Sequence, residues 1–181
     1  MKKSVLFLTL IFLVSSCLIG YSQENNEGIK YYIEISITEC KLRLYKIGKN
    51  SSLELIKEYP AGTAKKTIKL FPTGKGFITK KEYDPFWYPT EKTRAEFAKR
   101  GIILSKVVPS HHPLNYMGSF KIHLSHFVPG KGTIYRIHGS RKEDEEKIGH
   151  RISGGCIRMK NKEGEELFKI ISIGTEVNIT L

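Results

Sequence analysis

One histidine and one cysteine in this chain stand where a general base and a nucleophile can meet. His138 is followed by a glycine, and Cys156 follows two glycines. The fourteen residues between His138 and Ser153 exceed what a local contact needs, and they suit two strand-end loops that a fold brings together. A cysteine attacks only as the thiolate, and a nearby imidazole can accept the thiol proton. Spacing alone leaves the alternative of an inert buried cysteine and a structural histidine open.

The residues around this pair suggest the other parts of such a site. A third group must orient the imidazole, and the backbone carbonyl of Gly139 is placed to do so. Attack on an amide needs N–H donors for the oxyanion, and the backbone N–H groups of Gly155 and of the cysteine itself are candidates. On extended backbone Arg158 shares a face with the cysteine, where a guanidinium can bind a substrate carboxylate. Ser153, which either holds the loop or contacts substrate, and Tyr135 are further candidate contacts.

The segments around the pair predict a frame built mainly of strands. Alternating hydrophobic residues predict strands at residues 33–37, 42–47, 53–59, 77–79, 119–127, 133–137 and 177–181. Two short helices are predicted, the first after a Thr90 cap and the second between an Asn161 cap and Gly174. We therefore expect one compact, mainly β domain of the sandwich or barrel kind over residues 30–181, after a polar tether at residues 23–29.

The N-terminal residues resemble an export signal rather than part of this domain. Residues 1–22 combine a basic start, an apolar run from Val5 to Val14 and small residues at their end. One possible processing route is cleavage before Gln23. The other is a lipobox that ends before Cys17, which then carries a lipid and becomes the mature N-terminus; an incidental cysteine is the alternative. Either route places the domain outside the cytoplasmic membrane, in the periplasm or cell envelope.

The chain is strongly basic and poor in cysteine. Its formal net charge is +12, from 30 lysines and arginines against 18 acidic residues. In an exported protein such a surface favours anionic envelope polymers or lipid head groups over nucleic acid, and a merely solvated basic surface is the alternative. Cys40 and Cys156 could in principle pair, but a cysteine framed by glycines favours an exposed free thiol. The cysteine spacing predicts no zinc site, and we expect no metal or organic cofactor.

Two other stretches leave alternatives open. The aromatic loop at residues 84–89 is either a small hydrophobic cluster or one wall of a substrate groove. His111 and His112 are adjacent, so their side chains point apart on extended backbone, and we expect them on the surface rather than on a metal.

Residues 133–159 resemble the signature of the L,D-transpeptidase family, the YkuD-type catalytic domain. That signature is a histidine-glycine pair, a gap of about fourteen residues, then serine or threonine, histidine, glycine, cysteine, an aliphatic residue, and arginine or asparagine. Here His138 with Gly139, and the run from Ser153 to Arg158, match it. The turn at residues 71–74 also resembles a family turn, and the resemblance extends over roughly residues 30–181.

The resemblance implies a compact β-rich fold and acyl transfer on peptidoglycan stem peptides. The cysteine would attack the amide between the third stem residue, usually a diamino acid, and the fourth, D-alanine. D-alanine would leave, and the side-chain amine of a second stem would accept the acyl group to form a 3-3 crosslink. The implied roles are nucleophile for Cys156, base for His138, orienting carbonyl for Gly139, oxyanion donors for Gly155 and Cys156, and substrate contact for Arg158.

One position departs from the family pattern. The histidine that normally precedes the glycine-cysteine pair is Gly154 here, which removes a ring beside the thiol and frees the loop. His150 lies four residues earlier and either substitutes in part or is a surface histidine.

Three functions therefore stay open. The first is an exported transpeptidase with roles in peptidoglycan biosynthesis, cell wall organisation and cell shape. The second is an L,D-carboxypeptidase or hydrolase that cleaves the same bond or a lipoprotein–wall link. The third is a non-catalytic wall-binding domain, motivated by Gly154 and the basic charge. For the first two we expect a monomer whose partners are peptidoglycan stem peptides.

Overall fold

Most of the structure is a single curled sheet of eight strands. In the computed structural model, which describes residues 29–181, these strands are β1 Lys30–Ser36, β2 Lys41–Ile47, β3 Leu53–Pro60, β5 Gly74–Tyr83, β6 Phe120–Leu124, β7 Arg136–His138, β9 Ile157–Arg158 and β10 Glu176–Thr180. Their order across the sheet is β3-β2-β1-β10-β5-β6-β7-β9. A separate parallel pair joins β4, Thr63–Ala64, to β8, Arg151–Ser153. The predicted mainly β fold is confirmed.

Two α-helices and two short 3-10 helices complete the domain. They are α1 Glu91–Ala98 and α2 Asn161–Ile170, with 3-10 helices at Lys49–Ser51 and Lys142–Lys147. Thr90 caps α1 as predicted, since its Oγ1 accepts a hydrogen bond from the backbone N–H of Thr93 at 3.1 Å. The predicted cap of α2 is wrong: Lys160 is the N-cap residue, because the Asn161 side chain bonds to other segments of the fold.

Some strands have bounds that the sequence did not predict. β5 begins at Gly74, inside the predicted turn, because residues 74–77 pair with β10. β6 ends at Leu124, where its register with β5 ends, and Phe127 is left exposed. β7 contains His138 instead of ending just before it.

The sheet curls until its two edges approach each other. β5 is ten residues long and pairs with β10 through its first half and with β6 through its second half. This offset turns the sheet, and Gly62, just after the edge strand β3, meets Arg158 of the opposite edge strand β9. Gly62 donates a backbone hydrogen bond to Arg158 at 2.8 Å and accepts one from it at 2.9 Å. The result is a half-barrel in which β9 is held from both sides.

The core lies inside this curl, because each strand turns alternate side chains inward. Ile33, Ile35, Leu42, Leu44, Ile122, Ile137 and Ile157 are fully buried there. α2 closes one side with Leu167 and Phe168. Gly164 lets this helix approach the sheet, because a Cβ at that position would collide with the buried ring of Phe120.

A second, smaller hydrophobic cluster lies in the segment between β5 and β6. Phe97, Leu104 and Val108 are its buried members, and the rings of Trp87 and Tyr116 pack against them. This position of Trp87 favours the cluster interpretation of the aromatic loop, although Phe86 and Tyr88 are exposed. The cluster therefore fixes the ring of Tyr116.

The predicted leader at residues 1–22, with its Cys17, and the tether up to residue 28 lie outside the described residues. Within residues 29–181, no helix has both the length and the hydrophobicity to cross a bilayer.

We predict that Gly164→Ala destabilises the fold. At an unconstrained helical position this change would stabilise by about 0.5–1 kcal/mol. Here the new methyl group meets the buried Phe120 ring, so overpacking should cost about 1–3 kcal/mol in the free energy of unfolding. Denaturant unfolding measures this change in the free energy of unfolding. Lys169→Ala, at an exposed position of the same helix, is the control and should stay within ~0.5 kcal/mol of wild type. A Gly164→Ala protein as stable as wild type would contradict the close packing of α2.

Candidate active site

Two short neighbouring strands carry the predicted histidine and cysteine. β7 and β9 run parallel, with Ile137 opposite Ile157 and His138 opposite Arg158. Both isoleucines are fully buried, so alternation turns the His138 and Arg158 side chains to the other face. Cys156 directly precedes β9, and the backbone N–H of the first residue of β7 faces its sulfur. The fold therefore brings the two predicted residues together.

His138 is held as a neutral imidazole. The residue is only 2% exposed, and its Nδ1 lies 2.7 Å from the carbonyl oxygen of Gly139. A carbonyl can only accept a hydrogen bond, so Nδ1 carries the proton and Nε2 carries the lone pair. The backbone of Met117 also interacts with the ring and favours its protonated form. Burial, with the nearby Arg158 guanidinium, lowers the pKa of His138 to about 3. The imidazole is therefore unprotonated throughout the neutral range, and Gly139 lies where an orienting carbonyl is needed.

The Cys156 thiol is protonated in the resting site. Burial raises the pKa of this thiol, and the backbone N–H of Arg136 and the Arg158 and Arg136 guanidinium groups only partly oppose that effect. Both Cys156 and His138 belong to the described part of the chain, and no hydrogen bond joins their side chains there. A thiolate–imidazolium pair is therefore not the resting state, because burial disfavours both charges. Catalytic hydrogen bonds often tighten only when substrate is present.

The loop before the cysteine is fixed by Ser153 and Tyr135. Ser153 is buried, and its Oγ accepts the backbone N–H of Gly155 at 3.0 Å. Gly155 has a φ of +129° and lies against the Tyr135 ring, so a Cβ there would be both strained and blocked. The Tyr135 hydroxyl donates to the carbonyl of Leu70 at 2.7 Å. In the resting site these two side chains therefore hold the loop, and one candidate oxyanion donor is already engaged.

Arg158 places an unpaired positive charge beside the thiol. Within residues 29–181 its guanidinium makes no hydrogen bond or ion pair, and its Nε is buried without a partner. The nearest flat surface is the ring of Tyr116, whose centroid lies 5.8 Å from Cζ of the guanidinium. Burial lowers the pKa of Arg158, and the Cys156 thiol and the Asp144 carboxylate raise it. Such a group favours an anion at this place.

Asn161 is a positioning residue that sequence reasoning assigned wrongly to a helix cap. Its Oδ1 accepts backbone N–H groups from Ser119 at 3.0 Å and Ser140 at 3.2 Å, and its Nδ2 donates to the Ser140 carbonyl at 2.7 Å. Gly118 and Gly139 pack closely against it, where no Cβ would fit. These bonds fix the peptide that orients the base. The glycine after the motif histidine was the sequence signal for this close approach.

A row of charged side chains continues from the base across the sheet. Register places Lys121 of β6 opposite His138, and Glu82 of β5 opposite Lys121. The Lys121 Nζ lies 2.9 Å from Glu82 Oε2, and Nε2 of His123 lies 2.6 Å from Oε1. Burial disfavours the carboxylate, but its ion pairs with Lys121 and Lys80 outweigh that effect and lower the pKa of Glu82 to about 2. His123 lies on the same face of β6 as Lys121, away from the core.

The remaining predicted candidates do not join this site. Cys40 and Cys156 are both free, and Cys40 is buried. His111, His112 and His150 are exposed, which agrees with the surface interpretation for each. In the part of the chain that the structure covers, no group of histidine, cysteine and acidic side chains is arranged to hold a metal ion.

The sequence of this domain matches a known protein family. The model of the L,D-transpeptidase catalytic domain, YkuD, matches residues 30–179. The chain belongs to this family. The match covers both motif segments and nearly the whole curled sheet.

Curated relatives agree with this assignment. The probable L,D-transpeptidase ErfK/SrfK of Salmonella typhimurium is 36% identical over 133 residues, which cover 67% of this chain and 39% of that protein. The probable L,D-transpeptidase YcfS of Escherichia coli is 36% identical over 148 residues, or 81% of this chain and 43% of that protein. The chain thus spans about two-fifths of the length of these relatives.

Solved structures show the same fold at low identity. An L,D-transpeptidase from Mycobacterium smegmatis has a TM-score of 0.57 at 17% identity, covering 85% of this chain and 60% of the other. L,D-transpeptidase 3 from Mycobacterium tuberculosis has a TM-score of 0.57 at 14% identity, and the match covers 85% of this chain and 62% of the other.

Gly154, the departure from the L,D-transpeptidase pattern, lies in open space. A Cβ at this exposed position would meet nothing within 4 Å, and its backbone is not in the left-handed region. A side chain could therefore begin here without a clash at its Cβ, and glycine leaves this space open.

Alkylation of Cys156 by iodoacetamide should increase with pH through an apparent pKa above the ordinary thiol value of about 8.5. The thiol stays protonated at neutral pH because burial raises its pKa, so the thiolate appears only in more alkaline solution. His138, with a pKa of about 3, should add no step between pH 5 and 8. Peptide-resolved mass spectrometry gives the rate at each pH. An alkylation rate that is already high and constant below pH 7 would instead show a resting ion pair of thiolate and imidazolium.

Substitution by alanine should destabilise the protein at Gly155 but not at the neighbouring Gly154. Gly155→Ala forces a φ of +129° on an L residue and a collision with the Tyr135 ring, which should cost at least about 1–3 kcal/mol of stability and slow alkylation of the thiol. Gly154→Ala should stay within about 0.5 kcal/mol of wild type. Thermal or denaturant unfolding gives the stability of both variants, and the alkylation rate of Cys156 is measured on the same proteins. Equal behaviour of the two variants would contradict the loop geometry.

Proposed function

We propose that this chain is an exported, cysteine-dependent L,D-transpeptidase that acts on peptidoglycan stem peptides and forms 3-3 crosslinks. The observation that carries the proposal is the buried, neutral His138, fixed by Gly139 on the same sheet face as Cys156. Family membership supports this reaction class, and the relatives described above are themselves probable L,D-transpeptidases.

Acylation is the first half of the proposed reaction. Nε2 of His138 accepts the thiol proton while the Cys156 sulfur bonds to the carbonyl carbon of the L,D-amide. The backbone N–H of Cys156 stabilises the oxyanion, and that of Gly155 joins it when it leaves Ser153 Oγ. When the C–N bond breaks, the proton on Nε2 passes to the nitrogen of D-alanine. The donor stem then remains on sulfur as a thioester.

Acyl transfer is the second half. The side-chain amine of another stem attacks the thioester carbonyl and gives its proton to Nε2 of His138. The bond between carbon and sulfur breaks, and the thiol regains that proton. The product is a new amide between two stems, and the enzyme returns to its neutral resting pair.

The place of action follows from the predicted leader and the basic surface. We infer export to the periplasm or cell envelope, with a lipid anchor at Cys17 if the lipobox is used, and action as a monomer. Anionic wall polymers match the net charge of +12.

Hydrolysis of the same bond is the second candidate, and Gly154 favours it. The open space at this position leaves room for water beside the thioester. Water as acceptor would make the chain an L,D-carboxypeptidase, with the same residues in the same roles.

We predict that purified protein converts disaccharide-tetrapeptides into 3-3 crosslinked dimers with release of D-alanine. Mass spectrometry of the products measures this, and Cys156→Ala should lower the yield by at least about a thousandfold because the nucleophile is lost. Trimmed stems without dimers would establish the carboxypeptidase. Neither product, or equal yields from the Cys156→Ala control, would contradict both candidates.

Labelling by a carbapenem gives an independent check. The solved relative LD transpeptidase LdtMt1, with a TM-score of 0.53, is in complex with imipenem. Imipenem should add covalently to Cys156, and His138→Gln should slow the addition by about a hundredfold or more, since general-base assistance contributes roughly 10²–10⁴-fold. An unlabelled wild-type protein would favour a non-catalytic wall-binding domain.

A further inference from the structure

Two loop segments beside the cysteine carry positive charge and contain no acidic residue. Residues 65–75 lead into β5, and residues 126–134 connect β6 to β7. We call these two segments the basic loop surface. Its exposed lysines are Lys65, Lys66, Lys69, Lys75 and Lys131. Within the described part of the chain only Lys75 has an ion pair, to Glu176 at 3.8 Å, so most of this positive charge has no acidic partner.

Hydrogen bonds join the two segments at both ends of the 126–134 connection. At one end the Tyr135 hydroxyl donates to the Leu70 carbonyl at 2.7 Å. At the other end Nε2 of the buried His126 lies 2.9 Å from the carbonyl oxygen of Gly74, to which it donates because a carbonyl only accepts. The two segments therefore form one continuous surface, and their lysines act together on a partner.

The basic loop surface also exposes three large apolar side chains. Phe127 is 71% exposed, Ile134 is 54% exposed and Leu70 is 49% exposed. Such side chains gain free energy when they enter a bilayer interface, and anionic head groups attract the lysines beside them. A soluble anionic polymer would bind the lysines but would leave the phenylalanine in water. The combination of charge and exposed apolar area therefore favours a lipid surface.

The same surface adjoins the candidate active site. The ring of Tyr135 lies against Gly155, the residue before Cys156, while its hydroxyl bonds to the Leu70 carbonyl. One side chain thus connects the cysteine loop to the basic loop surface. A partner bound to this surface would lie next to the cysteine loop.

We propose that the basic loop surface docks on an anionic lipid bilayer, with its lysines among the head groups and the side chains of Phe127, Ile134 and Leu70 in the interface. Docking of this kind holds the cysteine loop next to the membrane surface. The partner is the bilayer itself, so the proposal depends neither on the reaction at Cys156 nor on a lipid anchor at Cys17.

Binding of the full chain to vesicles tests this proposal. Vesicles of phosphatidylcholine with phosphatidylglycerol supply the anionic surface, and vesicles of phosphatidylcholine alone supply the neutral one. Sedimentation should show an affinity for the anionic vesicles that is higher by about tenfold or more at low ionic strength and that falls as salt is added. Amide hydrogen exchange should slow in residues 65–75 and 126–134 on the anionic vesicles.

Lysine variants separate this surface from the overall charge of the protein. The test variant combines three substitutions in the surface: Lys65→Gln, Lys66→Gln and Lys69→Gln. The matched control removes the same charge from exposed positions in and after α1: Lys92→Gln, Lys99→Gln and Lys106→Gln. The test variant should bind anionic vesicles about tenfold more weakly or worse, and the control should stay within about threefold of wild type. Residues 1–22 are the same in every variant, so they do not contribute to these differences.

A phenylalanine variant separates a lipid partner from a polymer. Phe127→Gln should weaken binding to anionic vesicles by about fivefold or more, because the apolar side chain no longer enters the interface. Its matched control is Ile103→Gln, at a position that is 93% exposed outside this surface, and it should stay within about twofold of wild type. Binding to soluble polyphosphate, measured in parallel, should not respond to Phe127→Gln.

Four results would overturn the proposal. Equal affinity of wild type for anionic and neutral vesicles would exclude recognition of anionic lipid. Equal losses in the two triple variants would show a general effect of the basic protein. Unchanged vesicle binding in Phe127→Gln would indicate a site for soluble polyanions instead. Slower exchange only outside the two segments would place the membrane contact elsewhere. A protein that docks as proposed but neither crosslinks nor trims stems would refute the proposed function and leave this inference standing.

Discussion

The site depends on the parallel pairing of β7 and β9, which are only three and two residues long. Two strands this short do not hold each other alone. The curl of the sheet brings Gly62 to the outer side of Arg158, where both backbone hydrogen bonds form, while Met159 bonds back to the His138 carbonyl on the inner side. Closure of the half-barrel therefore fixes Cys156 and His138 on one face of two neighbouring strands, and the large hydrophobic core that contains Ile137 and Ile157 maintains that closure.

The same enclosure sets the electrostatics of the site. Register aligns Glu82, Lys121, His138 and Arg158 across four neighbouring strands. Glu82 pairs with Lys121, whereas within the described residues Arg158 has no ion pair and only the nearby Asp144 carboxylate and the thiol favour its charge. Burial keeps imidazole and thiol uncharged at rest, so separated charge develops only when a substrate occupies the face and the proton moves. An unpaired cation beside the thiol then stabilises negative charge on the sulfur or on the donor.

The sequence predicted the parts of this structure that depend on local pattern. Alternation predicted the inner faces of the strands, and a threonine predicted the start of α1. The motif predicted a cysteine and a histidine that the fold places on neighbouring strands. Sequence reasoning missed Tyr116 and the true role of Asn161, because each acts across distant segments. Tyr116 meets Arg158 only after a separate cluster has folded, and Asn161 bonds to Ser119 and Ser140 only after α2 has docked on β6. Contacts of this kind follow from sheet register and closure, which no local pattern encodes.

Trapping of the acyl-enzyme tests the central claim most directly. Protein mixed with a tetrapeptide donor in the absence of an acceptor, quenched rapidly and measured as an intact protein, should gain the mass of the donor minus D-alanine. Peptide mapping should place the adduct on Cys156, with one D-alanine released for each adduct, and His138→Gln should show almost none at the same time. An adduct on another residue, or release of D-alanine with Cys156 replaced by alanine, would contradict the account.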